Sequence, residues 1–389
     1  MRILHLSKFY PPDPGGLEHV VARLAEGAAA AGHEVRVVCA KGSSWWRDPR
    51  EPLPPEQRNA VTVVRVSTWG VAWSQPVAPG FLAASRWPAD VVYVHRPHPL
   101  ADLASLLGPP RPTIVFHHAD VQRQRALRLL YRPLALTVAR RAAATVVATR
   151  AGLEHAADLG PAGREKAVVI PFGVDITRFL PHPTPLRPSG FPIHERGPVA
   201  LFVGRLVPYK GLDVLLRAVG GSDLQVVIVG DGPLAEELHR QVERRGLRQQ
   251  VALVGHVDDD VLPAYHQAAD YLVLPSTSPA EMFGIALLEA MACGRPVITS
   301  DLSTGVREVN EHNVTGLVVP AGDATALRAA MERLAGDPQL RERLGTLARR
   351  RVLERFTLSQ MVESHLSLCE RVRSEELGVR SKESSGRSP

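Results

Sequence analysis

Four charged residues in the second half of the chain have the spacing of a phosphate and sugar site. Arg205 and Lys210 follow the apolar run VALFVG within GRLVPYKG, and Glu281 and Glu289 bracket the segment EMFGIALLE. Cations just past a strand end, with Gly204 and Gly211 allowing close backbone approach, suit a diphosphate, whose charge needs paired donors. When a bond to a diphosphate leaving group breaks, negative charge grows on the phosphate oxygens, and fixed cations in a dry site lower that barrier. A solvated turn is the plain alternative for these two residues, because Arg and Lys usually lie at the surface. The run IALLEAMA is strongly helix-forming. The backbone N–H groups of Phe283, Gly284 and Ile285, with Met282 just ahead, would then form an open first turn that attracts phosphate. Glu281 falls just outside that turn and Glu289 on the helix, roughly 12 Å along the axis if the helical rise held throughout. Carboxylates accept hydroxyl hydrogen bonds well, so Glu281 could hold a donor sugar and Glu289 a ribose. The alternative is that Glu281 only complements the helix N-terminus and Glu289 lies exposed.

These residues need strands and helices to place them. The first half alternates short β-branched runs (ILHLS, VRVVCA, VTVVRV, VVYVH, TIVFHH, TVVAT, VVIPF) with helical stretches. The second half restarts the pattern with VALFVGRL, LQVVIVG, VALVGH, YLVLPS, PVITS and GLVVP. Strands alternating with helices imply parallel sheets, so the fold class is α/β with two Rossmann-like domains. Ligands in such sheets bind outside the carboxyl ends of the strands. The proline-rich stretch at 181–198 cannot continue helix or central strand and reads as a linker. The expected organisation is residues 1–180, the linker at 181–198, a second domain at 199–356, a last helix at 357–375 and a disordered, apolar-poor tail at 376–389.

Length and composition agree with that division. A chain of 389 residues exceeds what one core usually organises. No apolar run approaches the roughly 20 residues that span a bilayer, and MRILHLS lacks the profile of a signal peptide, so a cytoplasmic protein is expected. Cys39, Cys293 and Cys369 are far apart and fit neither a disulfide framework nor zinc spacing. The net charge of +6 is unevenly spread. From Val121 to Leu153 there is no Asp or Glu, while Arg123, Arg125, Arg128, Arg132, Arg140, Arg141 and Arg150 all fall inside. With Leu127, Leu130 and Leu134 at helical spacings, the segment reads as an amphipathic helix whose basic face could rest on anionic lipid, or simply be solvated. Nucleic acid is not expected as a partner, because no recognition motif accompanies the charge.

Two further patterns are set aside. Gly230, Gly232 and Ala235 have dinucleotide-like spacing, but no acidic residue ends the next strand, and Pro233 fits an ordinary helix start. Asp258, Asp259 and Asp260 resemble a metal cluster, yet they precede the helical VLPAYHQAA, where acids cap and complement the dipole. No metal and no cofactor are expected, since Arg205 and Lys210 can neutralise a diphosphate.

GRLVPYKG together with EMFGIALLE resembles the signature of family 4 retaining glycosyltransferases of the GT-B fold, whose mark is two glutamates with seven residues between them. KFYPPDPGGLEHV, DVVYVHRPHPLADL, HHADVQRQ, IPFGVD, VGDGPLAEEL and TGVREVNEHNVTGLVVPAGD resemble that family in the same order, so the likeness runs essentially from Met1 to Arg373. It implies two domains facing a cleft, donor diphosphate contacts at Arg205 and Lys210, and the sugar and ribose roles already argued for Glu281 and Glu289. It further implies a histidine at a first-domain strand end facing the donor sugar, which picks His118. The adjacent His117 would point to the other side of the strand. Asp120 could orient that histidine, bind acceptor or cap the next helix, and His95 and His98 are acceptor-side candidates that cleft-wall packing explains equally well. In resembling proteins the loop of Gly15 and Gly16 sits at the donor and acceptor junction. A tight turn with positive φ is its plain alternative.

Retention and a last helix crossing back to the first domain are likewise what the resemblance implies. The forms of HHADVQRQ and LSTGVREVNEHNVTGLVV resemble those of mannosyl- and rhamnosyltransferases of surface polysaccharides. That favours GDP-mannose over a UDP-sugar, with a glycan or lipid-linked acceptor and a place on the inner face of the cytoplasmic membrane. A nucleotide-sugar epimerase of the same fold and a non-catalytic sugar-nucleotide scaffold are the alternatives, and a dehydrogenase is the third.

Overall fold

The computed structural model describes residues 1–13, 15–42, 53–72, 75–118, 125–182, 188, 191 and 197–385. The chain forms two compact units, Met1–Pro171 joined by Ser359–Pro389, and Phe172–Leu358.

In the first unit the strands are β1 (Arg2–Leu6), β2 (Glu34–Ala40), β3 (Glu56–Arg58), β4 (Val61–Val66), β5 (Gly70–Ala72), β6 (Gln75–Val77), β7 (Val91–Arg96), β8 (Thr113–His117), β9 (Ala144–Val147) and β10 (Ala167–Val169). Eight of them form a sheet in the order β10-β9-β8-β7-β1-β2-β4-β3. It is parallel except for β3, which runs antiparallel to β4 at the edge. The strands β5 and β6 make a separate antiparallel hairpin. All seven apolar runs of the first half become strands. The sequence reading missed β3, β5 and β6, which are three residues each and too short to show a period.

The second unit holds β11 (Val199–Val203), β12 (Gln225–Val229), β13 (Val251–Gly255), β14 (Tyr271–Leu274), β15 (Val297–Asp301) and β16 (Gly316–Pro320). They form one six-stranded sheet in the order β13-β12-β11-β14-β15-β16, with every pairing parallel. Helices cover both faces of such sheets, so their strands read as continuous Val, Ile and Leu. All of β12 and β14 is buried accordingly. Asp323 starts the Ala324–Gly336 helix by accepting from the backbone N–H groups of Thr325 and Ala326, each at 2.9 Å. Asp323→Ala is expected to cost about 1 kcal/mol of stability in urea unfolding, the usual worth of such a cap. An unchanged midpoint would show that the cap contributes nothing here.

Three expectations are corrected. The chain passes between units at Pro171/Phe172, ahead of residue 180, because the Phe172 ring packs 4.9 Å from that of Phe283 and Val174 bridges to Thr357. The linker at 181–198 lies mostly outside the described residues. The last helix is Leu358–Ser385, so residues 376–385, expected to be disordered, are helical. Once a helix is nucleated, each further residue adds a hydrogen bond, and Glu, Arg and Lys form helix well. The Arg125–Arg141 helix buries Tyr131, Ala135, Val138 and Ala139. Leu130, expected on the apolar face, is instead 75% exposed, while Arg132, Arg140, Arg141 and Arg150 are exposed as foreseen. Asp120, Val121 and Arg123 lie outside the described residues.

Candidate functional site

In the second unit Arg205, Lys210 and Glu281 lie on the segments that follow β11 and β14, and Glu289 lies on the Ile285–Ala292 helix. Gly211 is left-handed at φ 70°, and a Cβ there would stand 2.0 Å from the carbonyl oxygen of Pro275. The loop holding Lys210 therefore lies directly on the loop that follows β14, and Thr277 N–H donates to the Tyr209 carbonyl at 2.8 Å. Lys210 Nζ consequently reaches Glu281 Oε2 at 2.6 Å, and Ser276 Oγ donates to the same oxygen at 2.8 Å. Glu281 is buried, so removing Lys210 would leave it an uncompensated buried carboxylate. Arg205 is exposed at the end of its strand. Gly211→Ala is expected to destabilise by about 1–3 kcal/mol, the usual cost of forcing such backbone. Unfolding by urea measures it, and a loss below 0.5 kcal/mol, in the same range of estimates, would mean the two loops need not touch.

The helix after Glu281 begins at Ile285, with Gly284 left-handed as its N-cap and no side-chain cap. Glu281 thus stands outside the helix, and the 12 Å helical estimate does not apply to it. The Phe283 ring is buried between those of Phe172 and Phe356, so it anchors the turn and offers a ligand only its backbone. Met282 and Ile285 are half-buried. Glu289 is neither exposed nor alone, because the buried His266 brings Nε2 to 3.2 Å from its Oε2, without hydrogen-bond alignment. The sequence reading passed over His266, although a histidine in the apolar VLPAYHQAA was a readable oddity.

The glycines set aside as structural hold the Arg205 loop. A Cβ at Gly230 would meet the Gly204 carbonyl oxygen at 2.1 Å, and Leu206 N–H donates to the Asp231 carbonyl at 2.9 Å. The acids at 258–260 do not cap the Leu262–Ala268 helix, whose N-cap is Val261 with no side-chain bond. Arg178 instead pairs with Asp260 at 3.7 Å and donates to the Asp259 carbonyl at 2.7 Å. Among the described residues no group of three or more His, Cys, Asp or Glu is placed to hold a metal ion.

In the first unit Gly15 is extended at φ 161°, so positive φ is not its reason. The space beside it is filled by Glu18, whose Oε2 would lie 1.9 Å from a Cβ at Gly15, and burial raises that carboxyl above its ordinary value. Gly16 opens the Gly16–Ala30 helix. The loop before it is pinned by Arg65, which is buried, donates to the Tyr10 carbonyl at 3.1 Å, and pairs with Glu56 at 2.9 Å and Asp13 at 3.7 Å. Arg65 escaped the sequence reading because its partners lie up to 55 residues away.

The two histidines at the end of β8 face opposite sides, as alternation requires. His117 lies opposite Arg96 in register, on the side where Arg96 Nε donates to Asp102 Oδ1 at 2.8 Å, Tyr131 donates to Asp102, and His117 pulls the Asp102 carboxyl down. Burial outweighs these partners and raises that carboxyl. His118 Nε2 lies 3.2 Å from His95 Nδ1, and His95 Nε2 lies 3.0 Å from His5 Nδ1. Tyr93 and His365, from the last helix, complete this face with a 3.1 Å contact. Burial holds His5, His118 and His365 down to about 3 and His95 well below its ordinary value, so all four are neutral. His98 is fully buried against Phe81 and is also held to about 3 by burial. His95 and His98, the acceptor-side candidates, are therefore both interior residues.

The chain matches two family models, Glycosyl transferases group 1 over residues 188–351 and Glycosyltransferase Family 4 over residues 14–178. It is 37% identical over 364 residues to the D-rhamnosyltransferase WbpZ of Pseudomonas aeruginosa, covering 92% of each chain. It is 32% identical to the O-antigen chain mannosyltransferase C of Escherichia coli, covering 95% of this chain and 98% of that one. Its fold is similar to that of a sucrose-phosphate synthase from Thermosynechococcus elongatus, with a TM-score of 0.81, 24% identity, and coverage of 96% and 99%.

Proposed function

The chain belongs to the group 1 glycosyl transferases of GT-B fold, and on that premise we propose that it moves a hexose, mannose by preference, from a nucleoside diphosphate sugar to a glycan or lipid-linked acceptor. The observation that carries this reading is the ion pair between half-buried Lys210 and buried Glu281. Lys210 has three N–H donors and spends one on Glu281, so two remain for a diphosphate. Both bonds to Glu281 land on Oε2, which leaves Oε1 to accept from a sugar hydroxyl. As the sugar–phosphate bond breaks, Arg205 and Lys210 stabilise the charge growing on the leaving phosphate, so no metal is required. The backbone of Phe283, Gly284 and Ile285 adds the positive end of its helix. Glu289 takes the ribose, and His118, in the first unit, serves the sugar. Attack from the same face as departure, with the phosphate accepting the acceptor's proton, would retain configuration.

Mannose and GDP are favoured because the two sequence relatives described above are named as a D-rhamnosyltransferase and an O-antigen chain mannosyltransferase. No described helix is long and apolar enough to cross a membrane. Contact with anionic lipid would run through the exposed Leu130, Arg132, Arg140 and Arg141 of the Arg125–Arg141 helix. Thermal unfolding with GDP, UDP, ADP and dTDP, each with and without chelator, tests the donor site. At about a hundredfold its dissociation constant a ligand should add roughly 2.7 kcal/mol. Protection by GDP alone, indifferent to chelator and lost in Glu289→Ala, is the expected result, and protection by none of the four would overturn the reading.

A further inference from the structure

The Ile285–Ala292 helix is apolar throughout except at Glu289, and the residues on either side of that carboxylate, Leu288 and Ala290, are buried. Facing it is His266, which is fully buried on the Leu262–Ala268 helix and brings Nε2 to 3.2 Å from Glu289 Oε2. Among the described residues neither nitrogen of the His266 ring has an aligned hydrogen-bond partner. Buried polar atoms are bonded in the great majority of cases, so two such nitrogens call for a reason. Packing does not supply one. The ring meets that of Phe179 edge-on, with centroids 5.5 Å apart, a contact that a phenyl side chain would make equally well. The helix that carries it is tied down beside it, because Gln267 Nε2 donates to the Leu180 carbonyl at 3.0 Å and Arg295 Nη2 to the Gln267 carbonyl at 2.6 Å. The carboxylate is the softer partner, since the last torsion of a glutamate turns through a broad range. Rotation about that bond is the movement that aligns Oε2 with Nε2.

We propose that His266 is a positioning residue for Glu289: its Nε2–H donates to Oε2, sets the plane of the carboxylate, and so fixes the oxygens that accept from the ribose hydroxyls of the donor nucleotide. This rests on the reading that Glu289 takes the ribose. All the residues concerned belong to the second unit. An N–H is attracted to a carboxylate and a ring lone pair is not, so the proton nearest Glu289 sits on Nε2. A carboxylate has about four acceptor sites, so the one spent on His266 leaves room for two hydroxyls. His266 does not touch the nucleotide. It makes the site selective for ribonucleotides, since a carboxylate left to turn loses its bonds to hydroxyls and nothing toward the phosphates.

The test removes the hydroxyls and the histidine in turn. Affinities for GDP and 2′,3′-dideoxy-GDP, and for UDP and 2′,3′-dideoxy-UDP, are measured by calorimetry on the whole protein and on its His266→Phe, His266→Leu, His266→Gln and Glu289→Ala variants. Hydrogen bonds to a carboxylate are worth on the order of 10–100-fold in affinity, so the unmodified protein should prefer the ribonucleotide of one pair by that factor. Glu289→Ala should abolish the preference. His266→Phe and His266→Leu should cut it to about threefold, through a loss for the ribonucleotide alone, with the dideoxy nucleotide kept within about twofold. His266→Gln, whose amide N–H reaches roughly the place of Nε2, should hold the preference within about threefold of the original. A merely structural histidine predicts equal losses for both nucleotides. That result, an unchanged preference in the two apolar variants, their common failure to fold, or a His266→Gln protein no better than His266→Phe would overturn the proposal and leave Glu289 in place. A preference that survives Glu289→Ala, or no binding of either ribonucleotide, overturns the ribose reading itself and the proposal with it.

Discussion

Lys210→Ala is expected to lower kcat by about 10²–10³, roughly 3–4 kcal/mol of transition-state stabilisation, with a far smaller change in the affinity for GDP. Two effects add. The variant loses the cation that meets the leaving phosphate, and it strips the buried Glu281 carboxylate of its partner, leaving only the Ser276 hydroxyl on Oε2. A buried carboxylate stripped of its cation is no longer held in place to accept from a sugar hydroxyl. Lys210→Arg is a sharper control, since guanidinium keeps the charge but needs a flatter and wider space than an ammonium. It should restore phosphate contact only in part. Initial rates with GDP-mannose, together with GDP affinity by calorimetry, separate the two effects. A Lys210→Ala protein within fivefold of the original kcat would remove the observation on which the proposed function rests.

The second large effect is acid lability of the first unit. His5, His98, His118 and His365 are each held by burial from 6.5 to about 3. A folded-state value below the unfolded one means that the unfolded chain binds more protons between those limits. The stabilising contribution is therefore complete above about pH 6.5 and is lost as pH falls toward 3. At pH 5.5 each such histidine costs about 1.4 kcal/mol, so the four together cost on the order of 5 kcal/mol, a large part of a domain's usual stability. The protein supplies its own reporter. All five tryptophans lie between residues 45 and 87 of the sequence, and Trp69 and Trp87 are described residues of the first unit. Urea unfolding followed by tryptophan fluorescence should shift to markedly lower midpoints between pH 7.5 and 5.5. A shift of less than about 1 kcal/mol would show that these rings are not neutral and buried together.

Both predictions draw on residues that differ in how far the sequence disclosed them. The strands were readable because parallel strands buried on both faces must be continuously apolar, and the two glutamates because strand, loop and helix succeed each other within a few residues. The pairing of Lys210 with Glu281 joins residues 71 apart, and nothing local announces it. Arg65, His266 and His5 were missed for the same reason, since each acquires its meaning from a partner that only the fold brings near. A different kind of signal was present and unread. A histidine inside ILHLS or VVYVH is costly in a doubly buried strand unless something meets it, so its presence there already implied a partner. The ends of helices fared worst. The run beyond residue 375 has little apolar content to read, and its helix follows from continuity with the turns before it.

The two crossings between the units are stitched together. Val174 N–H donates to the Phe356 carbonyl and Leu358 N–H to the Val174 carbonyl, both at 2.9 Å, so the second unit enters and leaves at one point. During synthesis, residues 172–358 can therefore close on themselves while the first unit still lacks its final helix. Tyr93 must wait for His365, 272 residues later in the chain, before their contact can form. Closing so long a loop would be slow for a slack chain, but a finished insert with its ends clasped shortens it to a few residues. The order of manufacture is thus written into the connectivity: the middle is completed first, and a ribosome that stalls within the last thirty or so residues releases a sound second unit attached to an unfinished first one.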